Sequence, residues 1–553
     1  MWREPLAARA RSRDFDLLVI GGGIVGASIA RDATLRGLRV ALVEQGDFAG
    51  GTSSKTSKLI HGGLRYLQHG HLRLVAESLR ERHTLRTLAP TLVRPRALLL
   101  PVYDGDPRRA WQIRLGLWLY DGLAGRRSLG RSRMLSPRHA LAMEPALRVD
   151  GLRAAGLFTD CQMDDARLCL ATLLQAADLG AVCLNYVRVL ELLRAGGRLC
   201  GATVEDVLGG QAYEIRARVV VNATGPWSDA IRRLSDPAAP ARLAPTKGIH
   251  LILPPVTREA LFIQARDRRM VFVLPWGDYT LVGTTESAVV QPLEALAAGA
   301  EEVGYLLHEV NRLLPSARMG EEDVVATFAG ARPVLAQAGT SATAASREHR
   351  LEVDRWGLIS VLGGKYTTAR RMAEDAVTTV LERLGRQPER CLTGQLPLLE
   401  QPKPVALEDR RSLTSGIDPD ILARCLSRYG AGTFHVLELI AREPALAQPV
   451  CPHHEVAGAE IIHALEREFA CTVTDVLARR TRIAWSACQG LDALSAIREL
   501  FERHSGRPAA WVERSITAYR QFLALGCQFR APGARDRVKA PRPPAPAPRA
   551  TAT

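Results

Sequence analysis

A glycine-rich turn between an apolar segment and a helical one constrains this fold most. Residues 16–20 (DLLVI) predict a buried strand, GGGIVG follows at 21–26, and residues 27–36 predict a helix. In such a turn Gly21 permits a tight bend, Gly23 lets a backbone approach a pyrophosphate, and Gly26 lets helix and strand pack closely. The amino-terminal end of the helix then offers free N–H groups to phosphates. The pattern predicts a βαβ unit that binds a dinucleotide.

A second predicted strand completes this unit. Residues 39–43 (RVALV) are apolar, and Glu44 stands at their carboxyl end. A carboxylate at this spacing from the glycine turn accepts hydrogen bonds from a ribose. The order and spacing are those of a complete unit: strand, turn, helix, second strand and terminal acid. The pattern therefore indicates more than an isolated glycine motif.

Two later segments favour FAD over NAD. Residues 218–227 (RVVVNATGPW) predict a strand that enters a turn at Gly225, and residues 358–365 (LISVLGGK) predict another that ends in glycines. Thr367 or Thr368 is then expected to cap a helix. A glycine pair before a helix end can support negative charge on a reduced flavin, although an ordinary strand-to-helix turn remains the alternative.

Composition excludes several classes of protein. The chain has 553 residues, 47% of them hydrophobic, and a mean hydropathy of −0.03, which excludes disordered, collagen-like and multi-spanning proteins. The net charge of +15 comes from an arginine bias spread along the chain, which is weak support for nucleic-acid binding. The ten cysteines form no CxxC pair, so we expect reduced thiols and a cytoplasmic location.

Changes in pattern along the chain predict its organisation. An α/β region with antiparallel inserts gives way at a proline-rich break to mostly helical segments. The predicted units are a flexible arm at 1–13, an FAD-dependent oxidoreductase region (FAD-binding plus substrate cap) at 14–385, a linker at 386–404, a C-terminal helical domain at 405–530 and a disordered tail at 531–553.

Long motifs resemble those of FAD-dependent glycerol-3-phosphate dehydrogenases, in that family's order, over about residues 14–500. They are GTSSKTSKLIHGGLRYL (51–67), DDARL (164–168), NATGPW (222–227), KGIH (247–250), MVFVLPW (270–276), GTT (283–285), SREH (346–349), GGK (363–365) and DVLARRTR (475–482). Ser28, Glu286 and Ala369 depart from the family's usual residues, but none of the three removes a charge from the expected site. The resemblance is greatest to aerobic, respiratory-type bacterial members.

The resemblance implies a fold and a reaction. The fold is an α/β FAD-binding Rossmann-like domain with an interleaved mixed-sheet substrate domain of the D-amino-acid-oxidase type, plus a C-terminal all-α domain. The reaction is oxidation of sn-glycerol 3-phosphate to dihydroxyacetone phosphate by hydride transfer to noncovalent FAD, with electrons passed to a membrane quinone. The implied location is cytoplasmic, peripheral to the inner membrane; the assembly, including a homodimer, is left open, and no nucleic-acid partner is expected.

The resemblance also implies site residues. Arginine can hold a phosphate with two parallel hydrogen bonds, and histidine is the simplest base near neutral pH. The catalytic residues are expected to be His61, His250, Arg332 and Lys365, with the choice of base between the histidines left open. The expected substrate-binding residues are Arg65, Tyr66, His250, Arg332, Arg347 and Lys365. The expected cofactor-binding residues are Gly21, Gly23, Gly26, Glu44, Thr52, Ser53, Ser54, Gly62, Gly63, Gly225, Gly364, Lys365 and Thr367.

Three other functions and a metal site are the alternatives. The rivals are an oxidase that passes electrons to oxygen, an amine or amino-acid oxidase on the same fold, and a flavin-binding scaffold without catalysis. The segment CPHHE at 451–455 carries ligand-type residues, but no second paired motif accompanies it, so a polar turn is predicted and no metal.

Residues 107–133 are the predicted membrane surface. Seven arginines and one acid, Asp121, occur there among aromatic and aliphatic residues, the mixture of an amphipathic segment that lies on lipid. A buried helix flanked by arginines fits the same pattern about equally well.

Overall fold

A mainly parallel sheet contains the amino-terminal βαβ unit. We describe the protein from a computed structural model, which covers residues 3–336, 348–399, 413, 417 and 419–530. The strands in spatial order are β7 (Val182–Asn185), β2 (Val40–Glu44), β1 (Phe15–Ile20), β10 (Ala212–Asn222), β18 (Ile359–Gly363) and the antiparallel β17 (His349–Val353).

Helices and a further hairpin bury both faces of this sheet. Leu17 and Val19 face one layer of helices, whereas Leu18 and Ile20 face the hairpin, which explains why the whole strand is apolar. The helices are α2 (Ile24–Leu35), α6 (Asp165–Asp178) and α9 (Ala369–Arg383), and the hairpin is β8 (Val187–Ala195) with β9 (Arg198–Asp206).

A second, mixed sheet lies beside the first. Its strands in spatial order are β16 (Ala326–Arg332), β11 (Thr246–Leu253), β14 (Tyr279–Gly283), β13 (Met270–Trp276), β12 (Ala260–Gln264), β4 (Val93–Tyr103), β6 (Leu152–Met163) and β3 (Leu59–Ile60), with β5 (Arg133–Leu135) beside β6 and β15 (Ser287–Ala288) beside β11. One face packs on α5 (Pro137–Met143) and α8 (Ala300–Leu313); the other packs on α3 (Leu72–Leu88) and α4 (Ala110–Ala124).

The carboxyl-terminal helices form a separate core and cover the edge of β16. They are Pro419–Tyr429, Thr433–Arg442, Gly458–Arg467, Leu494–His504 and Ala509–Gly526, with a hairpin of β19 (Pro449–Cys451) and β20 (His454–Ala457). The Gln489 side chain donates to the Val325 carbonyl, and the Thr327 hydroxyl donates to the Gly526 carbonyl. The domain therefore closes a sheet edge that would otherwise be open to pairing.

The amino-terminal segment differs from the sequence prediction. Residues Arg3–Ser12 form helix α1, not a flexible arm. The buried Arg3 guanidinium donates to the Asn185 carbonyl and to the Asp206 carboxylate, which anchors the helix on the first sheet. Within the carboxyl-terminal region, which is predicted to be mostly helical, Asp475–Arg480 form a π-helix that is followed by a 3₁₀ turn. The predicted tail at 531–553 and linker residues 400–404 lie outside the described residues, and the domain boundaries remain our proposal.

Candidate active site

Three glycine turns meet at the carboxyl ends of β1, β10 and β18. Gly21 has φ +111°, and a Cβ atom there would lie 2.7 Å from the Ala223 carbonyl oxygen. Gly225 and Gly364, in the other two turns, also have positive φ values, +56° and +84°. Because side chains are missing at these points, backbone lines the crevice, as a long flat dinucleotide requires.

The first turn of α2 keeps its expected form. A Cβ atom on Gly26 would lie 1.9 Å from the Gly21 carbonyl oxygen, so only glycine fits at this helix–strand contact. Gly23 is the N-cap and has no side chain to occupy the helix end. Ser53 stands beside it, because its hydroxyl oxygen accepts the Ile24 N–H at 2.9 Å. Such a glycine-rich helix end fits the pyrophosphate of a dinucleotide.

Glu44 ends β2 at the same edge of the sheet. Its carboxylate accepts the N–H of Gly22 at 2.7 Å and the N–H of Gly46 at 2.9 Å. Burial raises the pKa of the Glu44 carboxyl. Because the two backbone hydrogen bonds fix its orientation, the carboxylate is positioned to accept hydrogen bonds from ribose hydroxyls.

The segment 51–67 bridges the two sheets. The Thr52 hydroxyl donates to the Ala331 carbonyl at 2.7 Å. The buried Lys58 ammonium donates to the Asp165 carboxylate and to the Ser54 carbonyl, both at 2.6 Å. Beyond them, the Gly62 N–H donates to the Tyr120 hydroxyl at 2.9 Å, and Gly63 adopts φ +83°. These bonds bring the predicted residues 52–54 and 62–63 to the crevice.

Four predicted residues form a first group, the Tyr66 cluster: His61, Arg65, Tyr66 and Lys365. The Lys365 ammonium lies 5.1 Å and the Arg65 guanidinium 5.8 Å from the centre of the Tyr66 ring. Burial, and then the nearby Lys365 and Arg65, lower the pKa of His61 to about 3. The Thr367 hydroxyl donates to the His61 carbonyl at 3.5 Å. His61 is therefore a neutral imidazole beside two cations.

A second group, the His250 cluster, contains His250, Ser57, Phe328 and Arg332. The His250 ring is buried, stacks on Phe328 with centroids 4.8 Å apart, and has Nε2 2.9 Å from the Ser57 hydroxyl. Burial, and then Arg332 and Lys58, lower the pKa of His250. The Arg332 guanidinium donates to the Thr284 hydroxyl at 3.0 Å and to the Thr285 carbonyl at 3.2 Å.

Strand register places both clusters on one face of the second sheet. His250 pairs with Gly283, and Gly283 pairs with Phe272 on β13. The His61 ring lies edge-on to Phe272, with centroids 6.2 Å apart. Directly paired residues project to the same face, so the two histidines flank one surface.

One predicted site residue lies outside the described residues, and two residues of the site were not predicted. Arg347 lies outside the described residues, so its predicted role stays a prediction. Ser57, which hydrogen-bonds His250, and Phe272, which joins the two clusters, were not singled out from the sequence as site residues. Both occur inside motifs that carry the resemblance, so position in a motif was the available signal.

Comparisons with known proteins agree with this geometry. Residues 16–370 match the family described as FAD dependent oxidoreductase, and residues 360–510 match the C-terminal domain of alpha-glycerophosphate oxidase. The chain is 36% identical to a glycerol-3-phosphate dehydrogenase of Synechocystis sp., over 93% of this chain and 97% of that one. It is 34% identical to the aerobic glycerol-3-phosphate dehydrogenase of Bacillus subtilis, over 87% and 89% of the two chains.

A solved structure extends the likeness to the whole fold. The glycerol-3-phosphate dehydrogenase of Bacillus halodurans complexed with FAD has a TM-score of 0.75 and 28% identity, and the match covers 95% of this chain and 97% of that one. The predicted fold class and the FAD cofactor are confirmed. The chain therefore belongs to the family of FAD-dependent glycerol-3-phosphate dehydrogenases.

Proposed function

We propose that the protein oxidises sn-glycerol 3-phosphate to dihydroxyacetone phosphate. The observation that carries the proposal is the shared sheet face, where two neutral imidazoles lie near Arg65, Lys365 and Arg332. Cations suit a phosphate dianion, and an unprotonated imidazole can accept a hydroxyl proton. A bound phosphate dianion would offset the charges of Lys365 and Arg65, which lower the pKa of His61 in the free enzyme. The relatives named above act, by their names, on glycerol 3-phosphate.

Each residue has a distinct task in this proposal. Bound FAD supplies the acceptor for the hydride that leaves C2 of the substrate. His61 takes the proton of the C2 hydroxyl; we favour it over His250, because His250 is only 3% exposed and already engages Ser57. Arg332 holds the phosphate, with the Thr284 hydroxyl and the Thr285 carbonyl fixing its fork.

A spectrum tests cofactor and substrate together. Anaerobic addition of sn-glycerol 3-phosphate to the purified holoenzyme is expected to bleach the visible band of oxidised flavin. The sn-1 isomer and glycerol serve as controls for stereochemistry and for the phosphate. Bleaching by glycine or another amine, and not by the phosphate ester, would favour the amine-oxidase rival. Rapid peroxide formation in air would favour the oxidase.

Replacing Arg332 with Lys is expected to raise KM for glycerol 3-phosphate by roughly 30-fold or more, since one buried charged hydrogen bond is worth ~2–5 kcal/mol. A point charge cannot replace the planar fork. Flavin content and the far-UV spectrum should stay unchanged. Arg198→Lys, on the exposed side of β9, is the matched control. Wild-type KM in Arg332→Lys would exclude this phosphate role.

We propose a membrane quinone as the electron acceptor, reached from a surface on α4. Trp111, Leu115 and Trp118 are 63%, 56% and 72% exposed, whereas Ile113 and Leu117 on the opposite face are buried. Arg126 and Arg127, which follow the helix, are exposed. An apolar face flanked by cations fits the interface of an anionic bilayer on the cytoplasmic side. Among the described residues, no helix has the length and apolarity to cross a membrane.

Changing Arg126, Arg127, Arg131 and Arg133 together to Gln is expected to release the protein from anionic vesicles. Each cation near anionic lipid contributes ~1 kcal/mol, so binding of the wild type should also weaken as salt rises. Quinone reduction should fall while reduction of a soluble dye continues at the normal rate.

A variant with the same charge change controls for net charge. It carries Gln at four exposed arginines of another surface: Arg188, Arg198, Arg216 and Arg218. This control should stay bound to vesicles. If both variants bind alike and reduce quinone normally, α4 is ordinary surface.

A further inference from the structure

A tight hairpin in the carboxyl-terminal domain presents two ligand-type side chains. Cys451 ends β19 and His454 begins β20, and the two residues are paired across the turn. A third such side chain, Cys488, comes from the loop that follows the 3₁₀ turn Ile483–Trp485. The sequence predicts no metal here, because no second paired motif accompanies the segment 451–455.

The three ligand atoms lie close together, and two of their separations match the edges of a metal tetrahedron. The two sulfur atoms lie 3.7 Å apart, and Cys488 Sγ lies 3.4 Å from His454 Nε2. All three atoms lie within 4.8 Å of one another. Zinc bonds of ~2.3 Å to sulfur and ~2.0 Å to nitrogen give tetrahedral edges of about 3.8 Å and about 3.5 Å. The two separations that involve Cys488 agree with these edges to within about 0.2 Å, and the third pair of atoms lies within 4.8 Å.

We propose that Cys451, His454 and Cys488 bind one zinc ion. Two thiolates and an imidazole suit a borderline-soft divalent cation and do not suit magnesium or calcium. The Ser486 hydroxyl lies 2.8 Å from His454 Nε2 and 3.5 Å from Cys488 Sγ. The surroundings of the ligand atoms are therefore polar.

The ion would link the hairpin to the second sheet. The Ala487 N–H, beside Cys488, donates to the Tyr279 hydroxyl on β14 at 2.9 Å. The Trp485 ring packs edge-on to Phe328, which stacks on His250. We therefore assign the zinc a structural role, in which it fixes a loop that supports the His250 cluster.

Metal analysis of the full-length holoenzyme tests the proposal. The protein is purified without chelator, reduced, incubated with zinc chloride, desalted and analysed by mass spectrometry for metals. We expect about one zinc per chain, lost in Cys451→Ser and in Cys488→Ser but retained in the control Cys200→Ser, whose cysteine lies on β9. Cobalt(II) in place of zinc should give thiolate charge-transfer absorption in the wild type and in Cys200→Ser, but not in Cys451→Ser or Cys488→Ser.

Two measurements guard against misfolding and a rival chemistry. Flavin content and far-UV circular dichroism show whether each Ser variant folds. If one variant does not fold, the zinc content of the wild type and of the other variant still tests the proposal. Wild-type protein that takes up no zinc beyond the level of a folded Ser variant would overturn the proposal. A Cys451–Cys488 disulfide in the native enzyme, with no zinc uptake after reduction, would overturn it as well.

Discussion

The Gly23→Val variant is expected to purify as a soluble, colourless protein. A Cβ atom at this position already lies 3.0 Å from the Ser53 hydroxyl oxygen, and valine adds two methyl groups at the end of α2. They would occupy the space in which the backbone approaches the pyrophosphate. The test is the flavin content per chain, measured from the visible absorbance and from the FAD released on denaturation.

A control separates lost cofactor from lost fold. Gly304 lies exposed on α8, and a Cβ atom added there would have no neighbouring atom within 4 Å, so Gly304→Val should keep its flavin. Gly26→Val should instead fail to fold, since its side chain meets the Gly21 carbonyl. If a folded Gly23→Val variant kept its full flavin content, the glycine motif would be only a turn and would not be needed to bind the cofactor.

Replacing Asp47 with Ala is expected to lower the free energy of unfolding by ~3–5 kcal/mol, the usual effect of breaking a buried ion pair. Asp47 follows Glu44 in the loop after β2, and its carboxylate accepts two bonds from the Arg480 guanidinium, at 2.7 and 2.9 Å. Arg480 is 2% exposed, so the substitution leaves a buried cation without its partner. Chemical unfolding of the reduced, flavin-free chain measures the change.

The same pair predicts a pH dependence. Burial alone would raise the pKa of Asp47, but Arg480 and Arg479 outweigh it and lower the pKa to about 2. The stabilisation is therefore complete above the ordinary carboxyl pKa of 3.8 and is lost as the pH falls toward 2. In Asp47→Ala this acid-dependent component should vanish.

An exposed ion pair provides the comparison. Asp104 and Arg153 are both more than half exposed, so Asp104→Ala should leave the unfolding curve where it is. Equal stability of Asp47→Ala and wild type would mean that the Arg480 contact contributes nothing net.

The strands and glycine turns that we expect to hold the cofactor were predictable, because the rules for such elements are local. The turn at 21–26, the strand that ends at Glu44 and the glycines at 363–364 each follow from a few consecutive residues. Strand register could not be predicted in this way, since it pairs residues that are distant in sequence. The pairing of His250 with Gly283 and of Gly283 with Phe272 places the two clusters together, and no motif states it.

Long-range bonds explain the two clearest departures. The segment 3–12 has many arginines and no apolar period, yet it is a fixed helix because Arg3 meets Asn185 and Asp206 far along the chain. Likewise, Cys488 joins Cys451 and His454 only after the carboxyl-terminal domain has folded. Both structures depend on contacts between residues that are distant in sequence, and a local sequence pattern does not predict such contacts.

The strand order of the first sheet also constrains how the protein is made. β1 and β2 leave the ribosome early, but β10, which pairs with the other edge of β1, is about 190 residues behind. At ~5–20 residues per second, that edge waits roughly 10–40 s for its partner. The crevice is complete only after β18 and Gly364 have been synthesised. FAD therefore binds only after at least 364 of the 553 residues have been made, and the apolar edge of β1 must be shielded until β10 arrives.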